Sequence, residues 1–146
     1  MFTRLHQSKR VERYLWSRHE HPGSVWSLLL AYPLFVLAVY RRDRRLLAAV
    51  LAFVGAQPLL FDAPDDDAAW ATRVVRGERD WLDAGLADSP GDLALLAVGA
   101  PLNLLVLRAA VRRQPLRTAV GVACSVALSL AFFERMANRY GRTTDR

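Results

Sequence analysis

Cysteine is almost missing from this chain: Cys124 is the only one in 146 residues. An intrachain disulfide is therefore excluded, and Cys124, inside the last apolar block, reads as a packing residue. Lysine is nearly missing too, with Lys9 alone beside nineteen Arg, yet the formal charge is +6. A basic balance fits nucleic acid or an anionic membrane surface. Zinc-ligand spacing, an aromatic RNP-type motif and a basic helix are all lacking, which argues against nucleic acid. There is no HExxH, no nucleophile elbow and no glycine-rich phosphate loop, and the triplet Asp65-Asp66-Asp67 lacks the spacing of a calcium loop. A cleavable signal peptide is not expected either. The first twenty residues are charged, and the first apolar run follows Pro22-Gly23 without a small-residue cleavage site.

What is present is apolar sequence in blocks. Hydrophobic residues make up 53% of the chain and charged residues 23%, and the apolar ones are bunched into Ser24–Tyr40, Leu46–Phe61, Leu93–Leu107 and Thr118–Phe133. A helix of a soluble bundle needs a polar face, but Leu46–Phe61 has Gln57 as its only strongly polar side chain and Leu93–Leu107 only Asn103. The expected fold class is all-α: an integral membrane protein with four transmembrane helices as two hairpins, plus amphipathic interfacial helices. Each block is 15 to 17 residues. At ~1.5 Å per residue that gives roughly 25 Å, short of the ~30 Å hydrocarbon layer. Snorkelling Arg, aromatic flanks and local bilayer thinning make up the difference.

The chain divides as one membrane domain, 1–146. An interfacial lead, 1–23, carries Val11, Tyr14 and Leu15 at helical spacing beside Trp16. Hairpin one is 24–61, turning through Arg41-Arg42-Asp43-Arg44-Arg45, and hairpin two is 93–133, turning through Arg108, Arg112, Arg113 and Arg117. Pro33-Leu34 before Arg41-Arg42 and Pro101-Leu102 before Arg112-Arg113 suggest a repeat of the hairpin, with a kink at each proline. A polar tail, 134–146, closes the chain.

Between the hairpins, residues 62–92 form an acidic amphipathic loop, and Phe61–Asp92 holds nine of the fourteen acidic residues. The three aspartates precede Ala68, where carboxylates favour a helix N-terminus. Trp70, Ala71, Val74, Val75, Trp81, Leu82 and Leu86 then recur at helical spacing, which predicts a helix lying on the bilayer surface. Gly85 helps to end it, and Ser89-Pro90-Gly91-Asp92 starts the third span. Four spans place both termini and this loop on one side. Lys and Arg number twelve there against eight in the two short loops, favouring a multi-pass cell-membrane protein with cytoplasmic termini.

The topology also brings the residues before the first span to the membrane face reached after the second. The candidate polar cluster is Arg18, His19, Asp65, Asp66, Asp67, Arg73 and Glu78, with Glu20, His21 and Asp62 beside it. Imidazoles and carboxylates together offer ligands for a divalent cation or a lipid headgroup, although no metal set is diagnostic and no cofactor is assigned. Gln57 and Asn103 fit interhelix hydrogen bonds better than a transport path, because the blocks hold no ionisable group.

The segments Arg18-His19-Glu20-His21-Pro22-Gly23-Ser24-Val25-Trp26 and Gln57-Pro58-Leu59-Leu60-Phe61, the latter leading through Pro64 into Asp65-Asp66-Asp67-Ala68-Ala69-Trp70-Ala71-Thr72-Arg73, resemble a family of small, uncharacterised prokaryotic multi-pass membrane proteins, a domain of unknown function. The likeness covers the first half best. The family pattern has Asn where this chain has His21 and Gln57, and Trp at Gly23. The resemblance implies no activity, only that flanks and spans belong together. The leading functional expectation is a non-enzymatic helix-packing subunit that associates with itself or another membrane protein, carried by small residues such as Gly55, Ala56, Gly99, Gly121, Ala123 and Ser125. The second is an interfacial enzyme or metal and lipid-headgroup site at the 18–21 and 62–78 flanks. The third is a small transporter or channel.

Overall fold

The computed structural model describes residues 17–144, and the interfacial helix expected around Val11, Tyr14, Leu15 and Trp16 lies outside them. Among the described residues the protein is all helical. The helices are α1 (Pro22–Arg41), α2 (Arg44–Leu60), α3 (Trp70–Ala84), α4 (Pro90–Val111) and α5 (Pro115–Thr144), with a short 3-10 turn at Leu86–Asp88. α1 and α2 form one hairpin and α4 and α5 the other, with α1 also packed against α4. At that contact Val36, Val106 and Ala110 are buried together, and Tyr32 donates a 2.7 Å hydrogen bond to Asn103.

Both hairpins turn by the same device. Arg42 and Arg113, the second arginine of each Arg-Arg pair, adopt left-handed backbone with φ of 56° and 54°. In the first turn the N–H of Arg42 reaches the carbonyl of Val39 and that of Asp43 reaches Ala38. In the second, Arg113 reaches Ala110 and Gln114 reaches Ala109. Each is the paired bonding that closes a helix C-terminus when the following residue turns left-handed. The repeat suggested by the sequence thus has a physical counterpart in the turns. The run Arg41–Arg45 is mostly helical, because Asp43 caps α2 by accepting from the N–H groups of Arg45 and Leu46, both at 3.0 Å.

Three helices, not the expected four, are long and apolar enough to cross a membrane: Pro22–Arg41, Pro90–Val111 and Pro115–Arg142. The exception is α2. Its 17 residues begin with two arginines. Its apolar stretch therefore covers little more than ~23 Å, against ~30 Å of hydrocarbon. It is also peripheral. Among the described helices α2 packs substantially only on α1 and buries just Val50 and Gln57, while Leu51, Phe53, Val54, Leu59 and Leu60 are exposed.

α3 departs most from expectation. Much of its apolar face packs inside the chain, because α5 extends past Phe133 to Thr144 and supplies a partner, while Leu82 and Leu86 stay exposed. Thirty residues of α5 span roughly 45 Å, about ten residues more than the hydrocarbon layer needs. On that extension Val74 and Trp81 are buried with Phe132, Met136 and Ala137. Trp81 meets Phe132 edge to face at 5.6 Å, and Trp70 bridges Trp26 at 5.5 Å and Phe133 at 6.4 Å. Gly77 makes the crossing this close. A Cβ there would stand 1.9 Å from the carbonyl oxygen of Met136. The aspartate triplet does not cap α3 as expected. The helix starts after Ala69 with no side-chain cap, and it ends at Gly85, whose φ of +98° suits glycine.

Since Met136 offers backbone rather than a movable side chain, Gly77→Ala must push the two helices apart. We expect it to cost about 3 kcal/mol, at the upper end of ordinary overpacking, read as lost thermal or denaturant stability in mild detergent. Unchanged stability would contradict the contact.

Candidate functional site

The described flanks of α1 and α2 come together at one end of the hairpin. The α2 C-terminus leaves carbonyls without helical partners, and the Arg18 guanidinium donates to two of them, Pro58 at 3.4 Å and Phe61 at 3.3 Å. It also lies 3.4 Å from Asp62, whose side chain is 94% exposed, so this pair adds little. His21 caps α1 by accepting from Gly23 N–H at 3.0 Å and stacks on Phe61 with ring centres 5.1 Å apart. Gly23 admits that ring, since a Cβ there would be 2.6 Å from Phe61.

A buried amide clasp lies beneath. Gln57 donates to the Ser24 carbonyl at 2.7 Å and the Ser27 hydroxyl at 3.1 Å, and accepts from the Ser24 hydroxyl at 2.9 Å. With the Ser24 proton directed at Gln57, the 3.1 Å contact between His19 Nδ1 and Ser24 Oγ requires His19 to donate. Burial pushes the His19 pKa below its ordinary value, against the raising pull of Glu20, which favours the neutral ring.

A second cluster joins four segments. The Thr72 hydroxyl donates to the Glu20 backbone carbonyl at 2.8 Å, and Arg76 Nε donates to the Glu20 carboxylate at 3.1 Å. Arg76 also donates to the Tyr140 hydroxyl at 3.3 Å and lies 3.6 Å from Asp67. Tyr140 donates in turn to Asp67 at 2.9 Å. Further out, Trp70 Nε1 donates to Glu134 at 2.8 Å, while Arg135 pairs with Asp92 and Arg139 with Asp88. Beside Arg76 an open groove of about 490 Å³ is lined by Glu20, Arg76, Arg79, Asp80, Asp83 and Tyr140.

The seven residues singled out from the sequence are distributed rather than convergent. Arg18 and His19 serve the α1–α2 junction, and Asp67 joins the Arg76 cluster. Asp66 accepts from the N–H of Ala68 at 3.0 Å, while Asp65 and Arg73 are exposed. Glu78 is half-buried. Among the described residues no group of three or more His, Cys, Asp or Glu side chains is placed to hold a metal ion. Gln57 and Asn103 both bond neighbouring helices, which weighs against a transport path through them.

Arg76, Thr72 and Tyr140 were not singled out, yet they organise the site. Their signal was spacing. Thr72 and Arg76 stand one helical turn apart at the margin of the apolar stripe of α3, and Phe132, Phe133, Met136, Ala137 and Tyr140 continue a helical stripe into the supposed tail. Chemically the arrangement fastens segments to one another. The Thr72 hydroxyl donates to the Glu20 carbonyl and the Tyr140 hydroxyl to the Asp67 carboxylate, so both tie one segment to another.

Glu78 supplies a pH test. Burial raises its carboxyl pKa above the ordinary 4.5. The folded state therefore favours the protonated acid, and this contribution is complete below the unfolded value and is lost as pH rises through the folded one. Glu78→Gln should accordingly be more stable than the parent at pH 7, with the gap closing below about pH 4.5. Melting curves against pH check this. A variant less stable at pH 7 would mean that the carboxylate is held by a cation.

A family described as a family of unknown function, DUF6653, matches residues 3–145, and the chain belongs to it. No curated protein and no solved structure matches the chain.

Proposed function

We propose that this DUF6653 member is a non-enzymatic integral membrane subunit whose work is helix packing, and that α2 is the surface on which it associates with a second copy. In this reading α1, α4 and α5 cross the bilayer at full length, and the shorter α2 returns through it. α2 runs back beside α1, and α3 with the end of α5 forms a polar head at the face where Arg18 and Glu20 lie.

The observation that carries the proposal is the outer face of α2. Small residues are divided between two uses. Gly121 lies against Val106, where a Cβ would come within 2.6 Å, and Ser125 is buried, so both serve contacts inside the chain. Gly55 has nothing within 4 Å of its Cβ position, and Ala48 and Ala52 are exposed on the preceding turns. Ala48, Ala52 and Gly55 stand at i, i+4 and i+7, so they form one flat stripe that a second helix can approach closely. Length points the same way. A helix shorter than the hydrocarbon layer strains the bilayer around it, and association is one way to relieve that strain.

The competing reading, an interfacial enzyme or metal site, finds among the described residues no group of three His, Cys, Asp or Glu placed to hold a metal ion. The polar side chains at this face are largely engaged with one another, as the Arg76 cluster and the Gln57 clasp illustrate.

The expected outcome is a dimer or larger assembly, measured by light scattering in mild detergent and by crosslinking in native membranes. Gly55→Leu should reduce it to monomer, whereas Ala123→Leu, on an exposed position of α5, should leave it intact. A protein that is monomeric and partnerless in both settings would overturn the proposal.

A further inference from the structure

At the far end of the α4–α5 hairpin from the polar head is an open cavity of about 590 Å³. Its lining divides along the hairpin. Arg108, Arg112, Gln114 and Arg117 stand toward the turn, and an apolar wall that includes Leu102, Leu105 and Val120 continues away from it. Arg108 lies in the last turn of α4 and Arg112 is its C-cap, one turn on, while Arg117 lies in the first turn of α5. The two helix ends thus bring three arginines to one opening. Gly121 lets the helices close beneath it against Val106. From Leu93 to Phe133 the sequence contains no acidic residue, so nothing on this hairpin offsets that charge. Within the mouth Arg117 donates only to the neutral Gln114, at 3.3 Å.

We infer that this cavity binds one anionic phospholipid of the surrounding bilayer, its phosphate held by Arg108, Arg112 and Arg117 and one acyl chain lying along the wall. The inference rests on the membrane reading above. Two features select this occupant. Guanidinium groups bind phosphate oxygens through forked hydrogen bonds. The wall, in turn, is apolar surface on the side of the headgroup level that faces the hydrocarbon, where an acyl chain packs along it and leaves no buried polar group unpaired. A soluble phosphate compound would leave that wall uncovered, and an acidic protein segment would have to bring unsatisfied backbone to it.

The test uses the full chain in nanodiscs of phosphatidylcholine containing a minor fraction of phosphatidylglycerol, with bound lipid counted by native mass spectrometry. Phosphatidylglycerol should be enriched on the protein. Each of Arg108→Gln, Arg112→Gln and Arg117→Gln should lower that enrichment by about fivefold, and the triple variant by about a hundredfold. Arg113→Gln, outside the lining, should change it little. Leu105→Gln, which keeps every charge, should also weaken retention, and helicity by circular dichroism verifies folding in each case. Equal loss in Arg113→Gln and Arg112→Gln would reduce the effect to diffuse surface charge and overturn the site. So would inorganic phosphate that binds as tightly as the lipid, since the wall would then contribute nothing. Stable insertion into nanodiscs without any preference for phosphatidylglycerol defeats this inference alone, whereas failure to insert defeats the membrane reading as well.

Discussion

The absence of a side chain at Gly77 is the constraint on which the rest of the polar head depends. It brings the backbone of α3 against the carbonyl of Met136, closer than any other residue allows. Only at that separation does the apolar face of α3 close over Phe132, Met136 and Ala137. The same closure carries Thr72 and Arg76 to Glu20, and Arg76 to Tyr140. Packing therefore precedes polarity here. The hydrogen bonds and ion pairs fasten an arrangement that the close crossing makes possible, and being charge-assisted and partly shielded they hold better than exposed pairs do.

The two ends of the molecule are chemically opposed. At the head, carboxylates and guanidinium groups are matched in sequence-distant pairs: Glu20 with Arg76, Asp92 with Arg135, Asp88 with Arg139. At the turns the arginines of both hairpins cluster with Asp43 as the single acid, and Asp43 is occupied in capping α2. Matched charge organises a protein surface from within, whereas unmatched charge calls for an anion from outside. This contrast is why the head reads as structure and the α4–α5 turn as a binding surface.

Much of the fold was legible because it rests on local rules. Long apolar runs, the Ser89-Pro90 start and the Gly85 stop fall close to where periodicity and backbone preference put them. The meeting of the two flanks also followed from topology, since a hairpin returns its ends to one face. What was not legible involved a partner. The stripe on α3 specifies burial, but a lipid surface and a neighbouring helix satisfy it equally, and only the continuation of α5 past Phe133 decides between them. Likewise Arg73 and Arg76 are equivalent in composition. Only their angular position on α3 relative to Glu20 makes one exposed and the other central. The fourth span failed on length, because the arginines opening α2 left too short an apolar stretch.

The most direct test of this account is hydrogen–deuterium exchange of the full chain in phosphatidylcholine nanodiscs, comparing the amides of Thr72 to Leu82 with those of Phe132 to Tyr140. A docked head predicts slow exchange in both segments with matched rates, because neither can open without the other. Fast exchange through α3 beside a protected α5, or protection of α3 that changes with lipid composition while α5 stays constant, would contradict the account and return α3 to the bilayer surface.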